Sequence, residues 1–290
     1  MTLRTSGWLT IAAALLLAVS APTSAADPIR ISWTPWADGM FVTRLAERII
    51  SERIDHPVEL VEAPISEQYQ GIAAGRIDAM LMSWQPETHA PYMRRISDRV
   101  EHLGVLYDGA RLGWAVPDYV PSEEIASIAD LAAQAERFGG QITGIDPDAG
   151  LTRLSRQALN RYDLDDYELT TSSGPDMAER LREATEAGEW IVVTAWNPHW
   201  IFAAFDLRYL DDPRAILGGA ERVQVLARPG FYADHPAAAR MLARMYLDLD
   251  TLEAALLQVE RFGHDAAVDH YMEAHDDQID YWVNGASANP

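Results

Sequence analysis

The chain of 290 residues contains no cysteine and no lysine. Without cysteine there is no disulfide framework, no thiol nucleophile and no thiolate metal site. A lipid-modified cysteine behind a leader is excluded as well. Without lysine, all 23 basic residues are arginine; they face 44 acidic residues, and the formal net charge is -21. A surface of that sign repels nucleic acid and anionic lipid, so neither is an expected partner. Its self-repulsion is relieved in concentrated salt, where the Debye length shrinks to ~3 Å at about 1 M. Enzyme signatures are missing too: there is no Gly-x-Ser-x-Gly elbow, no phosphate-binding loop and no His-Glu-x-x-His helix. The histidines are scattered without metal-ligand spacing. No catalytic residue, metal site or cofactor is expected, and the chain does not read as an enzyme.

Long apolar runs are also scarce. The one near the start, Trp8 to Val19, comes after Arg4 and precedes Ala21-Pro22-Thr23-Ser24-Ala25-Ala26. It falls short of the ~20 residues a membrane span needs. A basic residue, a short apolar stretch and small residues together read as a secretory signal over residues 1–26, cleaved after Ala25 or Ala26. The expected product is a soluble periplasmic protein without a lipid anchor.

From Ile29 onward the chain alternates short apolar runs with amphipathic stretches, the pattern of an α/β fold. Strands are expected at Ile29–Trp33, Val58–Val61, Ile77–Met82, Leu103–Leu106, Leu112–Val116, Gln141–Ile145, Tyr167–Thr170, Glu189–Ala195 and Val223–Ala227. Helices are expected from Met40 to Ile50, Glu67–Ala74, Ile128–Phe138, Leu151–Tyr162 and Pro175–Ala187, and from His235 to Trp282; the tail from Gly285 is expected to fray. Pro117 and Pro121 mark a first hinge. This gives lobe I over residues 27–115 and 218–290 and lobe II over 116–217, with a ligand cleft between them at strand C-termini.

Of nine tryptophans, three stand at strand-to-loop transitions: Trp36 before Ala37-Asp38-Gly39, Trp84 before Gln85-Pro86, and Trp196 before Asn197-Pro198. Taken singly, each position is a more usual place for core packing than for ligand contact. Together the three define a chemical task. A trimethylammonium group is cationic but has no N–H to donate, so indole faces recognise it where hydrogen bonds cannot. Each cation–π contact contributes about 0.5–2 kcal/mol, and three give ~2–6 kcal/mol. Micromolar capture needs ~8 kcal/mol, so an anionic group on the same ligand requires partners of its own. Two are available in sequence. Asp146-Pro147-Asp148-Ala149-Gly150-Leu151 leads from a strand into a helix whose free Gly150 and Leu151 amides favour a carboxylate, with Gly150 admitting the ligand close to the backbone. His89, just past a proline turn, has a ring N–H to donate.

At these residues the chain resembles the substrate-binding proteins of glycine betaine/proline betaine ABC transporters, from Ile29 to about Trp282. Its most specific stretch is Trp190-Ile191-Val192-Val193-Thr194-Ala195-Trp196-Asn197-Pro198-His199-Trp200, continuing through Asp206-Leu207-Arg208-Tyr209-Leu210-Asp211-Asp212-Pro213. Trp84-Gln85-Pro86-Glu87-Thr88-His89 and Gly144-Ile145-Asp146-Pro147-Asp148-Ala149-Gly150 resemble two further family segments. The resemblance implies a two-lobed, type II-like Venus-flytrap fold and a monomer that delivers a quaternary ammonium solute to an inner-membrane permease. It implies a cage of Trp36, Trp84 and Trp196, with His89, Gly150 and Leu151 holding a carboxylate. There are departures. Asp148 replaces a glycine and brings a negative charge towards the carboxylate unless it points outward. Leu112 stands where related choline-binding proteins have a fourth aromatic. Asp38 matches an acidic residue of those proteins and is a candidate acceptor for a choline hydroxyl, so choline is the alternative ligand. Trp33, Trp114, Trp190, Trp200 and Trp282 are expected in the core or at the rim, and His199 is expected to orient the Trp196 loop.

Overall fold

The structure is a computed structural model and describes residues 26–285. The signal-peptide reading and the end of the tail lie outside the described residues. The first elements are β1 (Ile29–Trp33), α1 (Ala37–Arg53), β2 (Val58–Glu62), α2 (Ile65–Ala73) and β3 (Ala79–Gln85), then α3 (Ala90–Met93) and β4 (Glu101–Pro117). Next come β5 (Gln141–Thr143), α4 (Gly150–Arg161), β6 (Glu168–Thr170), α5 (Gly174–Ala187), β7 (Val193–Asn197), α6 (Ile201–Ala204) and β8 (Leu207–Tyr209). The chain closes with β9 (Glu221–Ala227), α7 (Phe231–Asp234), α8 (Pro236–Arg244), α9 (Leu249–Phe262), α10 (His264–Ala274) and α11 (Asp276–Asn284). No described helix is long and apolar enough to cross a membrane.

The strands run in the order β2-β1-β3-β9-β4-β7-β5-β6, with β8 beside β4. β1 pairs in parallel with β2 and β3, as a β-α-β-α-β run dictates. The apolar Ala79–Trp84 stretch is buried throughout, the mark of a strand covered on both faces. α1 lays Phe41, Val42, Leu45, Ala46, Ile49 and Ile50 against this sheet at helical spacing. At its edge the buried Asp78 ties β1 to β9. Burial pushes its pKa up, but hydrogen bonds from Arg30 and Arg228 win and hold it down, at about 2.

β4 joins the two halves of the molecule. From Glu101 to Ala110 it is antiparallel to β9; from Arg111 it pairs with β7, and from Ala115 to Pro117 with β8. The sequence shows two extended segments here, and the structure joins them into one strand of 17 residues. Register shifts at His102/Gly104, Val105/Tyr107 and Asp108/Ala110 break the alternation that would have revealed it. Gly113 in its second half is packed so closely that an added Cβ would lie 2.3 Å from the Tyr209 ring.

Four boundaries differ from expectation. The stretch 128–138 forms two 3-10 segments, 128–133 and 135–138, rather than one α-helix. In the first of them only Ile128 and Leu131 are buried, three residues apart, which suits the 3-10 period. β7 starts at Val193, not Glu189, β5 ends at Thr143, and β3 begins at Ala79. The helical reading from His235 holds, with a break at 245–248.

Trp282 is 1% exposed, and the Arg244 guanidinium donates to its carbonyl at 2.8 Å, fastening α11 to α8. Trp282→Ala is expected to lower stability by about 3–5 kcal/mol in urea unfolding, while the fraction that remains folded keeps its ligand affinity.

Candidate functional site

Trp36 is the N-cap residue of α1, three residues past the end of β1; Trp84 and Trp196 are the penultimate residues of β3 and β7. The Gln85–Pro86 and Asn197–Pro198 peptide bonds beyond the last two are cis. Although these residues lie on elements of both sheets, they meet. The three indoles line one small cavity of about 20 Å³, together with His89, Gly150 and Leu151. Leu112 of β4 completes the wall as an aliphatic side chain, and Thr88, Ile145 and Ala149 fill the corners. No Asp, Glu or Arg lines this space.

The edges of the rings are as well defined as their faces. Trp36 Nε1 donates to Asp146 Oδ2 at 2.9 Å, and Trp196 Nε1 donates to Asp38 Oδ1 at 2.9 Å. The Tyr107 hydroxyl donates to the other Asp38 oxygen at 2.5 Å. His199 packs edge-on against Trp196 at 4.4 Å, with its Nδ1 accepting the Ile201 N–H at 3.1 Å, so it orients that loop as expected. Trp36 stacks beside His89 at 6.1 Å and 29°.

His89 is 1% exposed, and its Nδ1 accepts the Trp84 N–H at 3.1 Å. Burial pulls its pKa down to about 3, so the ring is neutral. With Nδ1 accepting, that tautomer carries its proton on Nε2. α4 starts at Gly150 with no side-chain cap from Ala149, which leaves its first amides free to meet an anion.

One expectation is corrected and two are refined. Asp38 does not line the cavity: it is fully buried behind Trp196, where its two oxygens accept from the Trp196 N–H and the Tyr107 hydroxyl. Asp148 points away from the cavity and accepts from the Ser66 hydroxyl at 3.1 Å, which removes the repulsion its position in sequence threatened. Gly150 lines the cavity and serves a second contact as well. An added Cβ would lie 2.4 Å from Thr88 Cγ2 and 2.6 Å from its carbonyl oxygen, so the missing side chain admits the 85–89 loop.

Sequence reasoning missed Tyr107, Asp146 as a hydrogen-bond acceptor, and Glu221. The buried Glu221 carboxylate accepts from the Thr88 hydroxyl and from the amides of Thr88 at 3.1 Å and Glu87 at 3.2 Å, fixing the loop that carries His89. An acidic residue at the head of the apolar run Val223–Ala227 was the available signal.

The family described as the substrate-binding domain of ABC-type glycine betaine transport systems matches residues 27–274. The chain belongs to this family. The glycine betaine/carnitine transport binding protein GbuC of Listeria monocytogenes is 33% identical over 153 residues, 52% of this chain and 51% of that protein. The match thus spans about half the length of that relative. Lactococcal OpuAC, solved closed in complex with glycine betaine, has a TM-score of 0.83 at 28% identity, over 89% of this chain and 100% of that one. A choline-binding protein of an ABC transporter, in complex with choline, has a TM-score of 0.82 over 90% of this chain and 93% of that one; at 23% identity it bears on the fold alone. The fold is therefore that of two-lobed substrate-binding proteins, and the family's members are binding components of transport systems.

Asp38 gives the site a titration signature. Burial pushes its pKa from 3.8 up to about 6, against hydrogen bonds from Tyr107, Trp196 and the Gly39 amide that pull it down. A raised carboxylate pKa means that the folded state holds this proton more tightly than the unfolded chain. The cost of burying the charge is in force above about 6 and is relieved as the pH falls from there towards 3.8. Asp38→Asn, which keeps the shape and one acceptor, is expected to gain stability over the wild type at about pH 8 and to lose that gain by about pH 4. Urea unfolding of both proteins across this range checks it.

Proposed function

We propose that the protein captures glycine betaine between its lobes, in a cage of Trp36, Trp84 and Trp196, and hands it to an inner-membrane ABC permease for compatible-solute uptake. The observation that carries this reading is the convergence of three indoles, one neutral His and one uncapped helix start on a single cavity without charged lining. The cage supplies ~2–6 kcal/mol through cation–π contact. The carboxylate of the ligand meets His89 Nε2–H and the amides of Gly150 and Leu151. Charge-assisted bonds of about 1.5–3 kcal/mol each close the gap to the ~8 kcal/mol of micromolar binding.

The lobes in this reading are residues 27–115 with 218–290, and residues 116–217. The change of partner along β4, between Ala110 and Arg111, supports placing the first crossing on that strand. Ligand contacts from both lobes favour the closed form, which is what a permease reads. Such a protein works as a monomer exported to the periplasm, and its acidic surface suits osmoprotection in a saline setting. Choline is the second candidate. It is disfavoured because Asp38 does not line the cavity to meet its hydroxyl and Leu112 supplies no fourth ring.

Calorimetry on the mature protein in high salt is expected to show saturable glycine betaine binding. Tight choline binding with none for betaine would overturn the assignment. His89→Ala is expected to cost betaine at least tenfold in affinity and choline much less, because only betaine has a carboxylate to lose a donor; equal losses would exclude His89 from that role. Gly150→Ala is expected to weaken betaine at least tenfold with an unchanged urea midpoint, since the added Cβ meets Thr88 only when the lobes are closed.

A further inference from the structure

Each lobe contributes a cage indole whose N–H is satisfied by the other lobe. Trp36, at the head of α1 in the first lobe, donates to Asp146 in the strand-to-helix connection of the second, 2.9 Å away and 110 residues on. Trp196, on β7 of the second lobe, donates to Asp38 in the first turn of α1, 2.9 Å away and 158 residues back. The exchange is reciprocal: a ring crosses in one direction and a ring crosses in the other. Asp38 is held in place on its own lobe by the Tyr107 hydroxyl. Neither carboxylate lines the cavity.

We propose that Asp38 and Asp146 are positioning residues that latch the cage indoles across the cleft, so that assembling the cage and closing the lobes are one event. This rests on the proposed capture of a quaternary ammonium ligand and assigns the two acidic groups their part in it. The physical grounds are threefold. A hydrogen bond from a neutral donor to a carboxylate is about twice as strong as one between neutral groups. It holds the ring by its edge and leaves the face to the ligand. An indole that donates to an anion is also polarised, which makes its face more electron-rich towards a cation. When the lobes part, both bonds break and the two rings lose their fixed orientation. An open protein then offers no preassembled cage, and a ligand held by one lobe does not see all three faces.

The test is a double-mutant cycle on the half-buried pair, read by betaine calorimetry. Asp146→Ala removes the acceptor and is expected to weaken betaine about tenfold. Trp36→Phe removes the N–H and part of the ring and weakens it further. The double variant is expected to bind within about twofold of Trp36→Phe alone, because the bond is already gone. The second readout is closure itself. Because the chain has no cysteine, spin labels at introduced Glu52→Cys and Glu186→Cys report one inter-lobe distance without competition from native thiols. At saturating betaine the wild type is expected to show a single short distance, and Asp146→Ala a mixture of short and long. Losses that multiply in the double variant, or a fully closed Asp146→Ala, overturn the latch while leaving betaine capture standing. A wild type that takes no betaine in the same calorimetry overturns the capture reading and, with it, the latch's role. The mirror cycle, Trp196→Phe with Asp38→Ala, is expected to behave likewise; if burial of Asp38 prevents that variant from folding, the Asp146 cycle decides alone.

Discussion

An indole can offer its face to a ligand in a dry site only if its N–H is satisfied somewhere else. That constraint organises this cleft. A box of three rings without charged lining contains three N–H groups that must not point inward, and a buried unpaired donor costs about 1–3 kcal/mol. Two of the donors find carboxylates, and each carboxylate belongs to the opposite body of the molecule. In the dry site the polar requirement of these two rings is therefore met by residues distant in sequence. Residues that touch nothing in the cavity become as necessary to its shape as those that line it. Tyr107 holds Asp38, His199 backs Trp196, and Glu221 gathers the loop that presents Thr88 and His89.

The same arrangement separates field from lining. The wall is apolar and neutral, and the negative charge sits behind it, at the rims of two rings. A cation inside meets electron-rich faces first and carboxylates at one remove, so it sheds its water without forming a salt bridge that would demand a donor hydrogen. Asp38 bears a cost for this: desolvation raises its pKa, and no Arg in the described residues offsets it. The overall charge of -21 plays a different part. The betaine proposed here is a zwitterion with no net charge, and the monopole field of a protein does little to steer such a ligand. The acidic surface therefore contributes little to capture.

Much of this was legible in sequence, and the reason differs from residue to residue. The three tryptophans stood out because each stands at a strand-to-loop transition beside turn-forming residues, a local signal that survives without coordinates. The uncapped start of α4 was visible for the same reason. Long-range partners were not. Nothing near Trp36 announces a bond to Asp146, and the position of Asp38 two residues after a cage ring suggested a ligand contact that its burial rules out. Asp148 looked like a threat to an anion because side-chain direction is not written in a turn; only the approach of Ser66 at the head of α2 shows where it goes. β4 was hidden by its own irregularity, since shifts in its pairing to β9 erase the alternation that marks a strand.

The closeness of the lobes also bears on which ligands are accepted. Where α4 meets the 85–89 loop there is no room for even a methyl group, because Gly150 touches Thr88. Arg153 of α4 donates across the same seam to the Thr88 carbonyl at 3.2 Å, and the Tyr92 hydroxyl donates to the Asp148 carbonyl at 2.6 Å. These contacts are protein against protein, so the size of the closed cavity is set by the lobes and not by the ligand. A larger solute does not stretch the box; it holds the seam open and forfeits the bonds along it, the indole–carboxylate pair included. Discrimination then arises as much from the closure that a wrong ligand prevents as from contacts that the right one makes. In the proposed mode of capture, a ligand that enters the cage but lacks the carboxylate leaves His89 Nε2 and the free α4 amides unpaired in a dry space. Unmade bonds of that kind are more costly than the loss of an equal area of apolar contact. Size is thus filtered by a glycine that makes no allowance for a larger guest, and chemistry by donors that lie idle without an anion.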